Sequence, residues 1–546
     1  MAKKIFYADD ARQRVQSGAK MLYDAVKTTY GPKGRNVVIG KSFGAPTVTH
    51  DGVTVAQAID LPDDNEETLG YKVGAELIKT AASKLNKVAG DGTTTVTVLT
   101  YNIIEEANKL IAAGYNPMEL RRGIESAGAE VVAKINKLAE SIEGKNARIS
   151  EVATISAGSE EIGKLIASVM EKIGKDGVIT VESGQSLDME SEVVEGFSLD
   201  KGWSSPFFVS DQVRQEAVFD KPAILITDKK ISNIQEFLPF LEKLATSGKK
   251  DIVIFADEVE GEALSVLILN KLKGILNVAV VKAPAFGERR KQTLSDIAIL
   301  TGGVLISEDL GMTFEDAELN MLGSARKVII GKDETTIVEG AGKKNMIKAR
   351  VEEIKALAEN APSEYEQEQL SKRAASLAGK VAVIKVGGAT ETEIDEKKYR
   401  VDDAVAAVKA ALSGGIVAGG GVTLVNIAER LKPVKDPIES VGRDILKRSL
   451  KAPFVQIVEN AGLNSQALLA QVESAKDGQG VNVMSPDKGL IDLKKAGVID
   501  PAQVTKEAVQ NAVSIAATAI TMGALVVDLP EKEIDASTSS MGQMGF

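Results

Sequence analysis

The segment GDGTTT at residues 90–95 carries residue types that bind phosphate, and it lies between two predicted helices. Its glycines allow a tight turn whose amide groups can face an anion, and the dipole at a helix N-terminus favours the same charge. The threonine hydroxyls add donors for phosphate oxygens, and Asp91 is a hard oxygen ligand that suits Mg²⁺. The simpler alternative is a helix N-cap, where Asp and Thr are common.

Two further glycine-rich segments lie at predicted helix ends, TYGPKG at residues 29–34 and AGGGV at residues 418–422. The first has similar phosphate-binding chemistry, but taken alone it is better explained as a helix C-cap and turn. The second could let a nucleotide approach the backbone closely, or it could be a turn before a helix. The sequence contains no G-x-x-x-x-G-K-[ST] motif, which disfavours a P-loop NTPase.

The composition excludes several kinds of site and partner. The chain has no cysteine and a single histidine, His50, which excludes disulfides, thiolate catalysis and histidine-cluster metal sites. The formal charge of −11 argues against a nucleic-acid partner, because such proteins present a basic surface. The N-terminal segment lacks the apolar core of a signal peptide, and no apolar run approaches the roughly 20 residues that span a bilayer. We therefore expect a cytoplasmic protein with no membrane partner.

The first third of the chain is predicted to be mainly helical, and the middle alternates strands with helices, which is typical of an α/β layer domain. Helices predominate again after Gly414. At 546 residues, the usual size of about 150 residues per domain predicts three or four domains. Predicted helices cover residues 8–30, 69–89, 93–113, 344–359 and 363–377, and predicted strands cover 36–39, 47–49, 178–181, 223–227, 251–256, 278–281 and 381–386.

Long segments, in a fixed order, closely resemble the group I chaperonins (the Hsp60 family). They include YGPKGRNVVIGKSFGAPTVTHDGVTVA, AGDGTTTVTVL, ATISAGS, KAPAFGERRK, LAGKVAVIKVGGATE and GIVAGGGV. Group II chaperonins share GDGTTT and GPKG but carry a helical protrusion in the apical region, for which this sequence has no candidate insertion. The resemblance implies a multidomain α/β and α chaperonin fold. It would comprise a helical equatorial ATP domain (2–137 and 414–546), a small intermediate hinge domain (138–194 and 381–413) and an α/β apical domain (195–380).

The resemblance also implies an ATPase site with ATP, Mg²⁺ and K⁺ as cofactors. Asp403 would orient the attacking water, Asp51 would lie beside the γ-phosphate, and Asp91 would bind the metal. From the residues alone, Asp403 would instead be a solvated residue on a helix. His50 stands where the family usually has Lys, so both a phosphate contact and an ordinary role remain open. The remaining ATP contacts implied are Thr29, Tyr30, Gly31, Pro32, Gly92, Thr93, Thr94, Thr95, Gly420, Asn482, Val483, Met484 and Asp500.

An apolar surface for unfolded client proteins and a co-chaperonin is implied in the apical domain. From the residues alone, core packing is the default for its aromatics and for the helix at residues 258–272, whose Val259, Ala263, Val266 and Leu267 form an inward stripe. The acidic surroundings of the basic triplet at residues 289–291 favour a solvated position or inter-subunit salt bridges over a nucleic-acid contact. The surface residues implied are Trp203, Phe207, Phe208, Leu238, Leu241, Leu264, Ile268, Leu269 and Asn270.

The function implied is an ATP-driven chaperone whose subunits form two stacked seven-membered rings. With a co-chaperonin lid of the Hsp10 type, this homo-oligomer would enclose unfolded proteins. One alternative is a metabolic ATP enzyme such as a kinase, for which the sequence offers no second catalytic constellation. Another is a binding protein that uses the fold as a scaffold, against which Asp51, Asp91 and Asp403 argue. The C-terminal STSSMGQMGF differs from the Gly-Gly-Met repeats of many family members.

Overall fold

The computed structural model describes residues 2–40, 46–63, 65–174, 177–184, 186–212, 214–361 and 363–529. The helices are α1 Ala8–Val26, α2 Gly52–Ala58, α3 Tyr71–Ala89, α4 Thr93–Ala112, α5 Pro117–Leu138, α6 Asn146–Ala157, α7 Glu160–Ile173, α8 Ile234–Thr246, α9 Gly261–Leu272, α10 Gly287–Thr301, α11 Lys344–Glu359, α12 Glu364–Leu377, α13 Glu391–Gly414, α14 Val422–Glu429, α15 Pro437–Ser449, α16 Ala452–Asn460, α17 Ser465–Ser474 and α18 Ala502–Ile520.

The strands are short, and many belong to two-stranded sheets. They are β1 Lys3–Tyr7, β2 Val37–Ile39, β3 Thr47–Thr49, β4 Val178–Ser183, β5 Glu190–Leu199, β6 Ala217–Asp220, β7 Ala223–Thr227, β8 Lys230–Ile231, β9 Asp251–Ala256, β10 Glu258–Val259, β11 Asn277–Lys282, β12 Leu305–Ile306, β13 Gly323–Ile330, β14 Thr335–Gly340, β15 Lys380–Val386, β16 Ile416–Ala418, β17 Gln479–Val481, β18 Leu490–Asp492, β19 Ile499–Pro501 and β20 Ala524–Asp528.

The chain forms two compact units, and the first comprises Met1–Ser168 with Gly388–Phe546. This unit is mainly helical, and α18 lies at its centre, packed against α3, α4 and α5. The sequence of α18 explains the close packing, because Ala508, Ala512 and Ala516 are fully buried. Small side chains at a helix contact let the helix axes approach one another. The candidate nucleotide residues all lie in this unit.

The second unit comprises Val169–Gly387 and is built on a mixed sheet. The strand order is β11-β9-β7-β13-β14-β5-β15-β4, with β12 paired to β7 and β6 paired to β13. Strands β7, β9 and β11 are parallel, and α8 and α9 are their successive connections. Parallel strands joined by helices are covered on their faces, which explains why all five residues of β7 are buried.

The structure confirms most of the predicted elements. The helix at 344–359 and the strands at 223–227 and 251–256 have the predicted bounds. The helix predicted at 8–30 ends at Val26 and continues as a 3₁₀ turn, Lys27–Thr29. Both junctions between the two units fall inside the predicted intermediate segments, 138–194 and 381–413. The division into three domains stays a prediction, and the C-terminal tail lies outside the described residues.

Candidate functional site

The segment 90–95 forms a tight turn between α3 and α4. Gly90 ends α3 with φ +67°, and Gly92 precedes α4 with φ +86°, backbone conformations that favour glycine. The first amide to bond along α4 is that of Val96, which donates to Gly92 O at 3.0 Å. The amides of residues 93–95 therefore precede the helical hydrogen-bonding pattern and are placed to bind an anion.

The loop after α1 lies beside this turn. Thr29 Oγ1 is 3.5 Å from Thr94 Oγ1, and the Tyr30 hydroxyl shares a 2.7 Å hydrogen bond with Thr95 Oγ1. Gly31 has φ +77°, and its carbonyl accepts from the Gly34 amide at 2.9 Å. Pro32 is exposed within that turn. The structure thus brings together the predicted ATP residues of both segments.

Asp51 caps α2 next to the same turn. Its carboxylate accepts from the amides of Val53 at 3.1 Å and Thr54 at 2.8 Å, and from the Thr54 hydroxyl at 2.6 Å. A Cβ atom on Gly52 would lie 2.3 Å from Thr94 Oγ1, so only glycine allows this close approach. The carboxylate is therefore held in one orientation beside the turn at residues 90–95, the predicted phosphate-binding turn.

Asp91, within the turn at residues 90–95, forms an acidic pair with Asp500. Asp91 accepts from the Gly92 amide and from Ser156 Oγ, the latter at 3.1 Å. Burial raises the pKa of Asp91, and the charge of Asp51 adds to the rise. Burial and the charge of Asp91 raise the pKa of Asp500 to about 7. Carboxylates under these conditions favour a bound cation.

The donor set fits Mg²⁺ carried with a nucleotide. Among the residues that the structure describes, no group of three or more acidic or histidine side chains could hold a metal alone. Asp91 with the surrounding threonine hydroxyls provides hard oxygen donors instead. Magnesium is commonly held by one or two carboxylates together with phosphate oxygens and waters, which is what this site could offer once a nucleotide is bound.

Helix α13 packs against the predicted phosphate-binding turn. A Cβ atom on Gly90 would lie 2.2 Å from Ala406 Cβ, so α13 rests directly on this glycine. Asp403 precedes Ala406 by three residues and therefore lies on the same face of the helix. Arg400, a further three residues back, lies near His50 and acts on its pKa. Asp403 consequently lies on the helix face between the contacts to His50 and to Gly90.

His50 packs against the loop after α1, where a Cβ atom on Gly34 would lie 2.8 Å from His50 Cε1. Burial lowers the pKa of His50, and the Arg400 charge lowers it further, against the opposite effects of Glu396 and Asp51. Because the ordinary pKa of histidine is about 6.5, the lowered value leaves the ring neutral at pH 7. Burial and Arg400 thus disfavour the cationic form of His50, and a phosphate contact of His50 stays a prediction.

The glycine turn at 419–421 adjoins Asp500, because β16 pairs with β19. A Cβ atom on Gly419 would lie 2.9 Å from Asp500 Oδ1. Gly420 has φ +64°, and a Cβ atom there would meet only Leu493, at 3.9 Å. The turn therefore presents an open backbone surface beside the acidic pair.

The segment 482–484 lies on the far side of this turn. Val483 is buried in a hydrophobic cluster with Val422 and Leu493. Asn482 Oδ1 accepts from the Met484 amide at 3.0 Å, and the Met484 side chain is exposed. The cluster connects Val483 to Ala418 and Val422, the two residues that flank the glycine turn.

Three residues at this site carry no role in the sequence interpretation. Ser156 bonds Asp91, Gly52 allows the approach of Asp51, and Arg400 lies near His50. The sequence could have pointed to Ser156, because this residue lies in ATISAGS, a segment of the chaperonin resemblance to which no role was assigned. Arg400 could only be found from the helix face that it shares with Asp403.

The sequence matches the TCP-1/cpn60 chaperonin family over residues 22–530. The chain belongs to this family. This chaperonin also shares its fold with the chaperonin gp146 from bacteriophage EL 2 (Pseudomonas aeruginosa), whose crystal structure was determined in the presence of ATP-BeFx. The two are 21% identical, with a TM-score of 0.67 over 96% of this chain and 99% of gp146. The predicted chaperonin fold is confirmed, and with it a chaperone role. Chaperonins in general are ring-forming ATPases that bind client proteins.

The predicted client-binding residues of this chaperonin lie in its second unit. The 3₁₀ turn Pro206–Phe208 packs against α9, and α9 packs against α8. Phe207 is 61% exposed, and Leu238 and Leu269 are also exposed. Trp203, Leu264 and Ile268 are half-buried against the core. Asn270 is half-buried, and its Nδ2 donates to Val266 O at 2.8 Å.

Two of the predicted surface residues are wrong. Phe208 is 0% exposed and Leu241 is 6% exposed, and both belong to the hydrophobic core of the second unit. The short turn directs Phe207 outward and the next side chain inward. Leu241 lies on the buried stripe of α8 with Phe237 and Leu244, whose spacing of four and three residues marks one helix face.

The structure adds two exposed apolar residues near this surface, Leu272 and Ile275. Leu272 ends α9 and follows Ile268 by four residues, so this spacing could have predicted it. Of the predicted inward stripe, Val259, Ala263 and Leu267 are buried, whereas Val266 is half-buried. The predicted helix start is wrong, because Glu258–Val259 form the strand β10 and α9 begins at Gly261.

The basic triplet at residues 289–291 forms ion pairs within its own chain, whereas the sequence predicted a solvated position or inter-subunit salt bridges. Arg289 pairs with Glu366 at 3.7 Å, while Arg290 pairs with Asp257 and Lys291 with Asp309. These acidic partners neutralise the triplet within its own unit. Separately, no helix among the described ranges combines the length and apolarity needed to cross a membrane.

Proposed function

We propose that this chaperonin is a group I chaperonin subunit that couples ATP binding and hydrolysis to the capture and folding of other proteins. The observation that carries the proposal is the contact of α13 with Gly90, which brings Asp403 to the turn that holds Asp91. A carboxylate, a metal ligand and free helix amides at one turn suit phosphoryl transfer to water, in which positioning and charge stabilisation dominate.

In the proposed reaction, the ATP phosphates bind the amides of residues 93–95 and the loop at residues 29–32. Asp91 would hold Mg²⁺, which supplies charge neutralisation at the phosphates, and K⁺ would add a second cation. Asp403 orients the water and draws its proton as it attacks the terminal phosphate in line. Asp51, fixed by the bonds from its own helix, orders the polar groups on the other side of that phosphate.

The nucleoside would bind on the side of the glycine turn. Gly420 would pack near the sugar and base, since its exposed backbone leaves room for a ligand. Asp500 would bind the ribose hydroxyls, and its pKa of about 7 lets the carboxyl group donate or accept a hydrogen bond. Residues 482–484 would border the adenine.

Client proteins would bind the exposed apolar groups of α8, α9 and the turn at Pro206–Phe208. Unfolded chains share exposed hydrophobic surface, and burying a few such side chains at roughly 1.5–3 kcal/mol each needs no sequence preference. A co-chaperonin of the Hsp10 type would compete for the same surface. We place the assembly in the cytoplasm, as two stacked rings of seven identical subunits, with neither nucleic acid nor membrane as a partner.

Native mass measurement with and without ATP, combined with a client aggregation assay, tests this function. We expect a ring-sized assembly that suppresses aggregation and releases its client when ATP and a co-chaperonin are added. A chain that stays monomeric at micromolar concentration in the presence of ATP would refute the ring, and full aggregation of the client would refute the chaperone activity.

A further inference from the structure

Arg400 has a defined place at the nucleotide site but no role in the chemistry described so far. It lies three residues before Asp403 on α13, so the two side chains are neighbours on the helix surface. Ala406, which meets Gly90, lies three residues beyond Asp403. Its helix also packs against β3, the strand that leads into His50 and Asp51. Arg400 therefore lies at the end of the site where Asp51 caps α2.

This end of the site has an excess of negative charge. Asp51, Asp91 and Asp403 all lie around the position proposed for the terminal phosphate, and ATP would add several negative charges. His50 is the nearest ring nitrogen, but it is half-buried against the loop at Gly34. Burial and the Arg400 charge disfavour the imidazolium of His50, whereas a guanidinium is permanently cationic.

Arg400 is held in place by its own helix. Its Nη2 forms an ion pair with Glu396, four residues earlier on the same face. Such a pair is worth little as a source of stability at a helix surface, but it keeps the guanidinium near His50. The flexible side chain can then exchange one carboxylate partner for a phosphate oxygen, an anion that arginine binds in the same geometry.

We propose that Arg400 contacts the terminal phosphate of bound ATP and neutralises the charge that develops there during hydrolysis. This inference rests on the proposed ATPase function and assigns a further catalytic residue to it. Asp403 and Arg400 would then act from successive turns of one helix, the carboxylate on the water and the guanidinium on the phosphate. Packing of α13 on Gly90 would deliver both groups together.

The test compares steady-state ATP turnover and ATP affinity of three variants of the full chain with the parent. Arg400→Gln removes the charge, and we expect its kcat to fall about 10–100-fold, a loss typical of removing one group that stabilises a transition state. Glu396→Gln breaks the same ion pair but keeps the guanidinium, and we expect a change within about twofold. Arg400→Gln with His50→Lys places a cation on the facing element, and we expect at least a tenfold recovery of kcat.

The outcomes separate this inference from the function on which it rests. A parent chain without ATP turnover would refute the proposed ATPase function. An active parent with an Arg400→Gln variant of equal kcat would overturn the role of Arg400 alone. If Glu396→Gln is as slow as Arg400→Gln, the ion pair has a structural role and the proposal is overturned. If the double variant is no faster than Arg400→Gln, a cation at this position does not support hydrolysis, which also overturns the proposal. Native mass confirms assembly of each variant.

Discussion

Gly90 and Ala406 approach so closely that a Cβ atom on Gly90 would lie 2.2 Å from the Cβ atom of Ala406. This contact joins the phosphate-binding turn to the helix that carries Asp403, although the two residues are far apart in the sequence. The absence of a side chain at position 90 therefore sets how near Asp403 can come to a nucleotide. In the proposed mechanism, closure of α13 on this glycine is a condition for hydrolysis.

Gly90→Ala should lower ATP turnover more than ATP binding. The added methyl group pushes α13 away, and displacements of about 1 Å can cost up to 100-fold in rate. Gly158→Ala is the matched control, because Gly158 also ends a helix with φ +63° and a Cβ atom there would meet nothing within 4 Å. Steady-state kinetics measures ATP turnover in both variants. An equal loss of turnover in Gly158→Ala would mean that backbone strain, not the contact with α13, is responsible.

The single histidine gives a direct test of the electrostatics. We expect the pKa of His50 without nucleotide to lie below about 6.5, because burial and Arg400 both disfavour the imidazolium. Histidine-selective NMR titration of the parent measures it without ambiguity of assignment. In Arg400→Gln the pKa should rise, since one repulsive charge is gone. A parent value above 6.5 would contradict the description of this site.

The lowered pKa of His50 also determines how this residue affects the free energy of unfolding at different pH values. A histidine whose pKa is lowered on folding binds protons less readily in the folded state than in the unfolded state. Its contribution is therefore neutral above about pH 6.5 and becomes destabilising as the pH falls from there to the folded pKa. His50→Gln should make unfolding less sensitive to pH in that window, measured by urea midpoints at pH 5, 6 and 7.

Phe207→Glu and Leu264→Glu should each weaken capture of an unfolded client by at least about tenfold while leaving basal ATP turnover unchanged. A charge removes apolar contact and adds a desolvation cost where the client would bind. Phe286→Glu is the control, because Phe286 is 84% exposed in the same unit but lies outside the predicted surface. Light-scattering assays of client aggregation compare the three variants. An equal loss of client capture in Phe286→Glu would contradict the prediction that clients bind the predicted surface.

Local pattern predicted the elements well because their signals are local. Helical spacing and glycine stops located α3 and α4, and buried runs located β7 and β9. Side-chain exposure was less predictable where every candidate residue was apolar. In α8 the sequence offered Leu238 and Leu241 alike, and only packing on the core separates the exposed residue from the buried one.

In the candidate site too, some features are encoded locally in the sequence and others depend on tertiary packing. Phosphate binding by the turn at residues 90–95 stays a prediction, but its tight backbone follows from its glycines, which lie within six residues. The place of Asp403 does not, because a carboxylate on a polar helix face is indistinguishable from a solvated one until Ala406 is seen against Gly90. Resemblance to known chaperonins supplied that residue, and packing supplied Ser156 and Arg400, which sequence alone left without roles.

The most direct test of the account is Asp403→Ala, with ATP turnover and ATP affinity measured in parallel on the assembled protein. Asp395→Ala, which removes an exposed carboxylate from the same helix, is the control. We predict that Asp403→Ala binds ATP with near-parental affinity, because both phosphate-binding loops remain intact, but hydrolyses it about 10²–10⁴ times more slowly. Hydrolysis at the parental rate would contradict the central claim that Asp403 acts on the attacking water.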